Sequence, residues 1–386
     1  MSERTGQQVT TRLPDASAWT LDPAVAYLNH GGFGATPAVV LAEQQELRAR
    51  LEHNPVAFLT RELPGLLDQV RAELALFLVA DPEGIVFVDN ATSGMQTVIA
   101  AAGLGPGDEV VLTDHCYGAV LAQLRRAAAQ SGASLQIAGV PLPVPHDEAI
   151  IDAILARITG RTRLVVLDHI ASCSGLVFPV EPIVAQCRER GIPVAIDGAH
   201  APGQVPVDLT RIGADFWTGN LHKWVSAPKA SAVLYAAPQW RDSLQPLVAS
   251  HGLHDGFRPS FDWTGTRDPT ALLSVPAALR FFEAAGWDAV FQHNNDLSRA
   301  AAGLLAESLD TGPAGTGGRA AAMNLVRLPA PITEDEARAL ETRLFERDRI
   351  IVPVTWHSDW HWLRLSAQLY NTMADYERLA AALAAG

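Results

Sequence analysis

Of the 29 basic residues in this 386-residue chain all but two are arginine, and the exceptions, Lys223 and Lys229, stand six positions apart in DFWTGNLHKWVSAPKASAVLY (215–235). Either cation serves an exposed surface, but an amine that can lose its proton and attack a carbonyl comes only from lysine. The stretch therefore invites a reading as the site of a Schiff-base lysine. IPVAIDGAH (192–200) supplies a complement, ending an apolar run on Asp197, 26 residues before Lys223. A carboxylate at a strand end and a lysine on a later loop are what pyridoxal 5'-phosphate needs. The lysine holds the aldehyde as an imine, and the carboxylate keeps the pyridine nitrogen protonated so that the ring takes up carbanion electrons. The plainer alternative for the same spacing is a turn-capping Asp197 and a surface Lys223.

A phosphate needs a cradle. FVDNATSGMQ (87–96) reads as a strand, a short loop carrying Ala91, Thr92 and Ser93, and a helix whose first free N–H groups point at an anion. Thr and Ser at a helix start also serve as ordinary N-caps. GGFGAT (31–36) and GLGPGD (103–108) lack the full G-x-G-x-x-G between strand and helix, so they are read as turns rather than a dinucleotide loop.

The elements that must position these residues follow from apolar runs. GIVFVDN (84–90), DEVVLTDH (108–115), TRLVVLDH (162–169), IPVAIDGAH (192–200), ADFWTGN (214–220) and ASAVLYA (230–236) read as buried strands. SGMQTVIAAAGL (93–104), AVLAQLRRAAAQSG (119–132) and EPIVAQCRERG (181–191) read as helices between them. Such alternation predicts an α/β fold with a mainly parallel sheet covered on both faces and its ligand beyond the carboxyl ends of the strands. After about residue 270 come TALLSVPAALRFFEAAG, a glycine-rich loop DTGPAGTGGRA (310–320) and strands near MNLVRL and HWLRLS. The expected organisation is an N-terminal segment 1–25, a large domain 26–270 and a smaller α+β domain 271–386.

Composition narrows the partners. With 48% hydrophobic and 18% charged residues the chain can bury one large core and a satellite, and a net charge of −13 with pI near 5.3 disfavours nucleic acid. Cys116, Cys173 and Cys187 are widely spaced without a CxxC pair, so neither a disulfide framework nor a structural metal site is indicated. MSERTGQQVTTRLPDAS at the N-terminus has no apolar signal core, and no run approaches ~20 apolar residues. A cytoplasmic protein with no membrane span is expected.

Taken together, DGAHAPGQVPVDL and GADFWTGNLHKWVSAPKASAVLY resemble the class V aminotransferase family of fold-type I pyridoxal-phosphate enzymes, most closely its isopenicillin N epimerase-like branch. YLNHGGFGATP (27–37), VDNATSGM (88–95), TDHCYGAV (113–120), FDWTGTRDPTA (261–271) and LRLSAQLYNT (363–372) follow in the same order, so the resemblance covers roughly residues 25–385. It implies Lys223 as the Schiff-base lysine, with Lys229 where the family also carries a lysine. It implies Asp197 on the pyridine nitrogen, His200 near the phenolic oxygen, and His115 stacked on the ring, with Tyr117 as rival for that place. Ala91, Thr92, Ser93, Asn220 and His222 are implied around the phosphate, helped by Thr266 of the partner subunit in a homodimer with shared active sites. Ser172 lies where relatives place an asparagine near the phenolic oxygen. Arg364 matches the arginine that fixes a substrate α-carboxylate by two parallel hydrogen bonds. His30, Gly31 and Gly32 occupy a loop that enters the substrate pocket in relatives. Arg61 is read as an exposed helix arginine rather than a carboxylate ligand, and the tryptophans of VTWHSDWHW (354–362) either line an entrance or pack the small domain.

With this coenzyme, loss of the Cα proton leads to epimerisation, transamination or β-elimination, and loss of carboxylate to decarboxylation-coupled deamination. Lys223, released as a free amine, is the expected general base. Desulfurase chemistry is disfavoured because IIVPVTWHSDWHWLRLS (350–366) contains no cysteine before Arg364. What remains is epimerisation or C–S cleavage at an amino-acid group borne by a larger, secondary-metabolite substrate. A non-catalytic binding or regulatory protein of this fold would betray itself by an added DNA-binding domain or a lost lysine. A nicotinamide-dependent dehydrogenase would need a genuine dinucleotide fingerprint.

Overall fold

Residues that are apolar at every position of a short run are stable as strands only where both faces of a sheet are covered. The computed structural model, which describes residues 13–312, 316 and 318–385, builds its large sheet from such runs. Residues 1–12 of the polar N-terminal stretch and part of the 310–320 loop lie outside the described residues. In chain order the strands are β1 (Ala26–Tyr27), β2 (Ile85–Val88), β3 (Glu109–Thr113), β4 (Ser134–Ala138), β5 (Thr162–Asp168) and β6 (Val194–Asp197). They continue as β7 (Phe216–Asn220), β8 (Ala232–Ala236), β9 (Met323–Arg327), β10 (Ile350–Ile351), β11 (Val354–His357) and β12 (Trp360–Ser366).

Seven of them form one sheet in the order β2-β8-β7-β6-β5-β3-β4. β8 runs antiparallel to both its neighbours and the other four pairings are parallel, so β2, β3, β5, β6 and β7 all end at the same edge. Alternate residues feed two cores. Val111, Val165, Leu167, Ile196 and Trp217 face one layer, and Val110, Leu112, Val166, Ala195 and Phe216 face the other. β4, the edge strand, was not foreseen: SLQIA alternates polar with apolar residues and is buried fully only at Ala138. The crossover helices Ala91–Ala101, Gly118–Ser131 and Val180–Glu189 follow the predicted runs, and no described helix is long and apolar enough to cross a membrane.

The C-terminal part is a three-stranded antiparallel sheet, β11-β12-β9, backed by helices Trp287–Ser308 and Met373–Ala384 around a core of Leu305, Val326, Leu363, Leu365, Tyr376 and Leu379. The two cores do not part cleanly at residues 26 and 270. Leu272, Leu273, Val275, Ala278 and Leu279 belong to the larger core, whereas β1 pairs with β10 and Ala26 and Leu28 pack into the smaller one. The chain thus leaves the small sheet at β1 and reaches the carboxyl edge of the large sheet at once, through the turn 29–34.

Gly34 fixes that turn. Its φ of 71° lies in the left-handed region, and a Cβ there would stand 2.0 Å from the His222 carbonyl oxygen and 2.8 Å from that of Lys223. Gly34→Ala is expected to cost about 3 kcal/mol or more in urea unfolding and to weaken coenzyme retention, since strain and a backbone collision add. Gly103→Ala, with φ 58° but open space around it, is the comparison and should cost only about 1–2 kcal/mol. Equal losses in the two variants would show that the close approach to Lys223 has no energetic weight.

Candidate active site

Three polar residues close three adjacent strands at the shared edge: Asp168 on β5, Asp197 on β6 and Asn220 on β7. The register sets Asp168 beside Asp197 and Asp197 beside Thr218. Lys223 follows three residues after β7, and its Nζ lies 3.0 Å from His200 Nε2. The indole Nε1–H of Trp224 can only donate, and it points at His200 Nδ1 at 3.4 Å. A histidine that accepts at Nδ1 carries its proton on Nε2 when neutral, and burial, with Lys223 next, holds His200 neutral. Its Nε2–H then donates to Nζ, which can accept only as a free amine. Burial lowers Lys223 to about 8 against the opposing pull of Asp197, with Arg364 adding a smaller push downward. Geometry and electrostatics agree on an amine that sheds its proton near neutrality.

Burial raises both Asp168 and Asp197, and their mutual repulsion adds to the effect on Asp168. Asp197 Oδ1 accepts from the Ala199 amide at 3.0 Å. Asp168 did not stand out in the sequence, although its place at the end of a buried strand was its signal.

His30 is not a pocket-lining residue. Burial lowers it to about 3, so the ring is neutral. Its Nε2–H donates to the Lys223 carbonyl oxygen at 3.0 Å and its Nδ1 accepts from Tyr370 Oη at 2.8 Å. It braces the lysine from behind, with its ring 4.8 Å from that of Trp224. Gly31 and Gly32 press against Met323 and Asn29, so side chains there would collide with Sδ of the one and the amide of the other. Asn29, missed in the sequence, is the working residue of this loop: its Oδ1 accepts from Arg364 Nη2 at 2.9 Å.

Arg364 reaches in from β12. Its Nη1 donates to the Ser172 carbonyl and, at 3.4 Å, to Ser172 Oγ, so Ser172 holds the guanidinium. Its buried Nε has no acceptor, and no carboxylate lies within ion-pair distance of it among the described residues. A buried guanidinium without a counter-ion is a site for an anion.

His115 requires a correction. It is fully buried, with Nε2 at 2.8 Å from the Val140 carbonyl oxygen and Nδ1 at 2.8 Å from Ser174 Oγ, and its ring leans on His357 and Phe178. With no exposed surface and with the His357 ring centroid packed 3.8 Å from its own, the imidazole is enclosed by protein rather than open beside Asp197. In the same turn the next two side chains sit nearer: Cys116 feels the charges of Asp168 and Asp197, and Tyr117, 42% exposed, lies close enough to Arg364 to act on its guanidinium. Tyr117, the rival named from the sequence, is therefore the aromatic candidate. Cys173, also unremarked as a site residue, lies close enough to Asp168 and Arg364 for both to act on its thiol.

At the phosphate cradle the N-cap is Asn90, whose Oδ1 accepts from Ser93 N at 2.9 Å and from Ser93 Oγ. Asn220 Oδ1 takes the Ala91 N–H at 2.8 Å. Thr92 keeps the first-turn N–H without an acceptor among the described residues, while Ala91, Ser93 and Asn220 shape the turn around it. His222 Nδ1 donates to the Ser231 carbonyl at 3.1 Å, and burial, then Lys223, lowers its pKa to about 4. Thr266 stands exposed in the 264–266 bend, and Arg61 is exposed as expected.

A family model described as aminotransferase class-V matches residues 26–379. The chain belongs to that family. An isopenicillin N epimerase of Amycolatopsis lactamdurans is 33% identical over 395 residues, covering 95% of this chain and 98% of its own. A probable chloroplastic L-cysteine desulfhydrase of Arabidopsis thaliana is 31% identical over 394 residues, covering 94% and 83%. Among solved structures, a C-DES mutant with glycine covalently linked to its PLP cofactor superposes with a TM-score of 0.83 at 24% identity, covering 96% and 99%, a likeness of fold.

As a class-V member the protein is a pyridoxal-phosphate enzyme of fold type I. The residues present fit the group. A buried amine of lowered pKa, a buried carboxylate pair with no cation beside it other than Lys223 among the described residues, and a helix turn whose N–H has no acceptor among them meet at one strand edge, matching aldehyde, pyridinium and phosphate.

The pKa of Lys223 makes coenzyme capture pH-dependent. Below about 8 the ammonium form dominates and cannot attack an aldehyde; above it the free amine prevails. Uptake by apoprotein, followed by absorbance, should rise about tenfold per pH unit up to pH near 8 and then level. An unshifted lysine would keep the rise going to about pH 10.

Proposed function

We propose that the protein cleaves the Cβ–S bond of a cysteine-derived amino acid by β-elimination, with the bulk of the substrate carried on sulfur. The observation that carries this reading is the pairing of one buried base, Lys223, with one buried guanidinium, Arg364, that has no carboxylate partner among the described residues. Such a pair holds an α-amino acid by its carboxylate and draws the Cα proton to an amine. When bound, pyridoxal phosphate supplies the electron sink that makes the Cα–H bond acidic. Lys223 takes that proton, and the thiolate departs from Cβ. Water then completes the release of ammonia and pyruvate. Arg364, steadied by Ser172 and Asn29, fixes Cα so that its proton faces Lys223.

Epimerisation is the second reading, and the names of the relatives support both. It needs a proton returned to the opposite face of Cα, for which half-exposed Tyr117 is the available donor. Elimination comes first because it asks for a single base and a thiolate leaves without strong acid assistance. The reading includes a homodimer, as is usual for class-V enzymes, with Thr266 of the partner subunit beside the phosphate. Free Cys116, Cys173 and Cys187 suit a reducing cytoplasm.

Holoenzyme incubated with S-alkyl cysteines in D2O should release thiol and pyruvate in equal amounts by mass spectrometry, and Lys223→Ala should release neither. Deuterium at Cα of unconsumed substrate with no pyruvate would move the assignment to epimerase, and no change in substrate would overturn both. Arg364→Gln should keep the coenzyme's absorbance while kcat/KM falls about 100-fold or more, chiefly through KM. A loss confined to kcat would remove Arg364 from carboxylate binding.

A further inference from the structure

Beside the candidate active site, three metal-ligating side chains from distant parts of the chain meet where the small domain covers the large sheet. His115 follows β3, Cys173 lies in the turn after β5, and His357 ends β11 at the hairpin. Their ligand atoms all lie within 4.8 Å of one another. Cys173 Sγ is 4.0 Å from His115 Nδ1, and the two imidazole centroids are 3.8 Å apart. In a tetrahedral zinc site with Zn–N of about 2.0–2.1 Å and Zn–S of about 2.3 Å, neighbouring donor atoms stand roughly 3.3–3.6 Å apart. Side-chain shifts of about an ångström therefore close the triad.

We propose that His115, Cys173 and His357 form a binding site for a zinc-class divalent ion that clamps the β11–β12 hairpin to the large domain. Two imidazoles and a thiolate are borderline-soft donors, which select zinc, cobalt, nickel or copper over magnesium and calcium. The existing bonds leave the site poorly satisfied. Both rings approach the one Val140 carbonyl oxygen, His115 at 2.8 Å and His357 only at 3.5 Å, and they crowd each other as buried neutral dipoles. Binding at His115 Nδ1, the nitrogen facing Cys173, replaces its bond to Ser174 Oγ and leaves Nε2 on the Val140 carbonyl. The Cys173 S–H proton leaves to solvent as the Sγ–metal bond forms, and Ser174 Oγ, released by His115, still accepts from the Leu176 amide. The fourth position falls to water, since Asp114 Oδ1 approaches the opposite ring nitrogen, 3.9 Å from His115 Nε2. No sequence motif announces the site, because its ligands lie 58 residues apart and then in another domain.

Chelator-washed holoenzyme titrated with Co(II) tests it. One equivalent per chain should bind with tetrahedral d–d absorption in the red, clear of the coenzyme band, and a thiolate charge-transfer band seen against zinc-loaded protein. Cys173→Ser should remove the charge-transfer band. His357→Gln, which leaves the coenzyme pocket intact, should weaken cobalt binding at least about tenfold and abolish the rise in Tm that zinc gives the wild type, with unchanged metal-free turnover. Octahedral spectra only, no uptake below millimolar metal, or uptake equal in wild type and His357→Gln would overturn the proposal.

Discussion

The site depends on burying an amine deeply enough that it sheds its proton at about pH 8 rather than about 10. An ammonium ion in the wall of this sheet would have to be paired and fully hydrogen-bonded, whereas a free amine needs only a donor. The Trp224 indole N–H meets His200 on one nitrogen, the other nitrogen carries the proton toward Lys223, and the lysine is left as acceptor. This orientation runs through three side chains and ends on the atom that does the chemistry. His30 extends it backwards, since its bond to the Lys223 carbonyl holds the main chain from which the amine projects. The repelling carboxylates of Asp168 and Asp197 complete the arrangement by leaving a place that a pyridinium cation satisfies.

The second half of the site comes from the other domain and is held by bonds between them. Arg364 hangs from β12 but is fixed by Ser172 beyond β5 and by Asn29 just past β1. Because β1 pairs with β10, the segment that braces both Lys223 and Arg364 belongs by packing to the small domain. Lysine and arginine are thus held at a fixed separation by one short stretch, residues 28–34. Its glycines are small because Met323, Asn29 and the His222 carbonyl leave no room for a side chain.

Much of this was legible in the sequence because the sheet is buried on both faces. Continuous apolar runs ending in Asp or Asn gave β5, β6 and β7 and with them Asp197, Asn220 and the loop of Lys223. β4 was hidden by its edge position, where alternation of polar and apolar residues resembles a loop. The misplaced residues share one cause. Chemistry can be read from residue type, but direction at a turn depends on tertiary neighbours. His115 and Tyr117 lie two positions apart, and only the arrival of β11 with His357 shows which of them is turned inward. His30 is read from the sequence as part of a loop at the substrate pocket, yet its target is a backbone carbonyl 193 residues away. Cys173 and Asn29 left no signal, since neither residue type is unusual in a loop.

Fold alone does not select a reaction, and here charge shapes the selection further. Arg364 is close enough to lower the proton affinity of Lys223, so in the empty site it raises the share of free amine needed to capture an aldehyde. A substrate carboxylate seated on Arg364 cancels much of that push while leaving Asp197 in place. By linkage, the proton affinity of the amine must then rise by as much as its free form weakens carboxylate binding. On the proposed reading, the same lysine is thereby a nucleophile before the substrate arrives and a stronger base afterwards. In the proposed reaction, the arginine that holds the carboxylate thereby also tunes the basicity with which Lys223 meets the Cα proton.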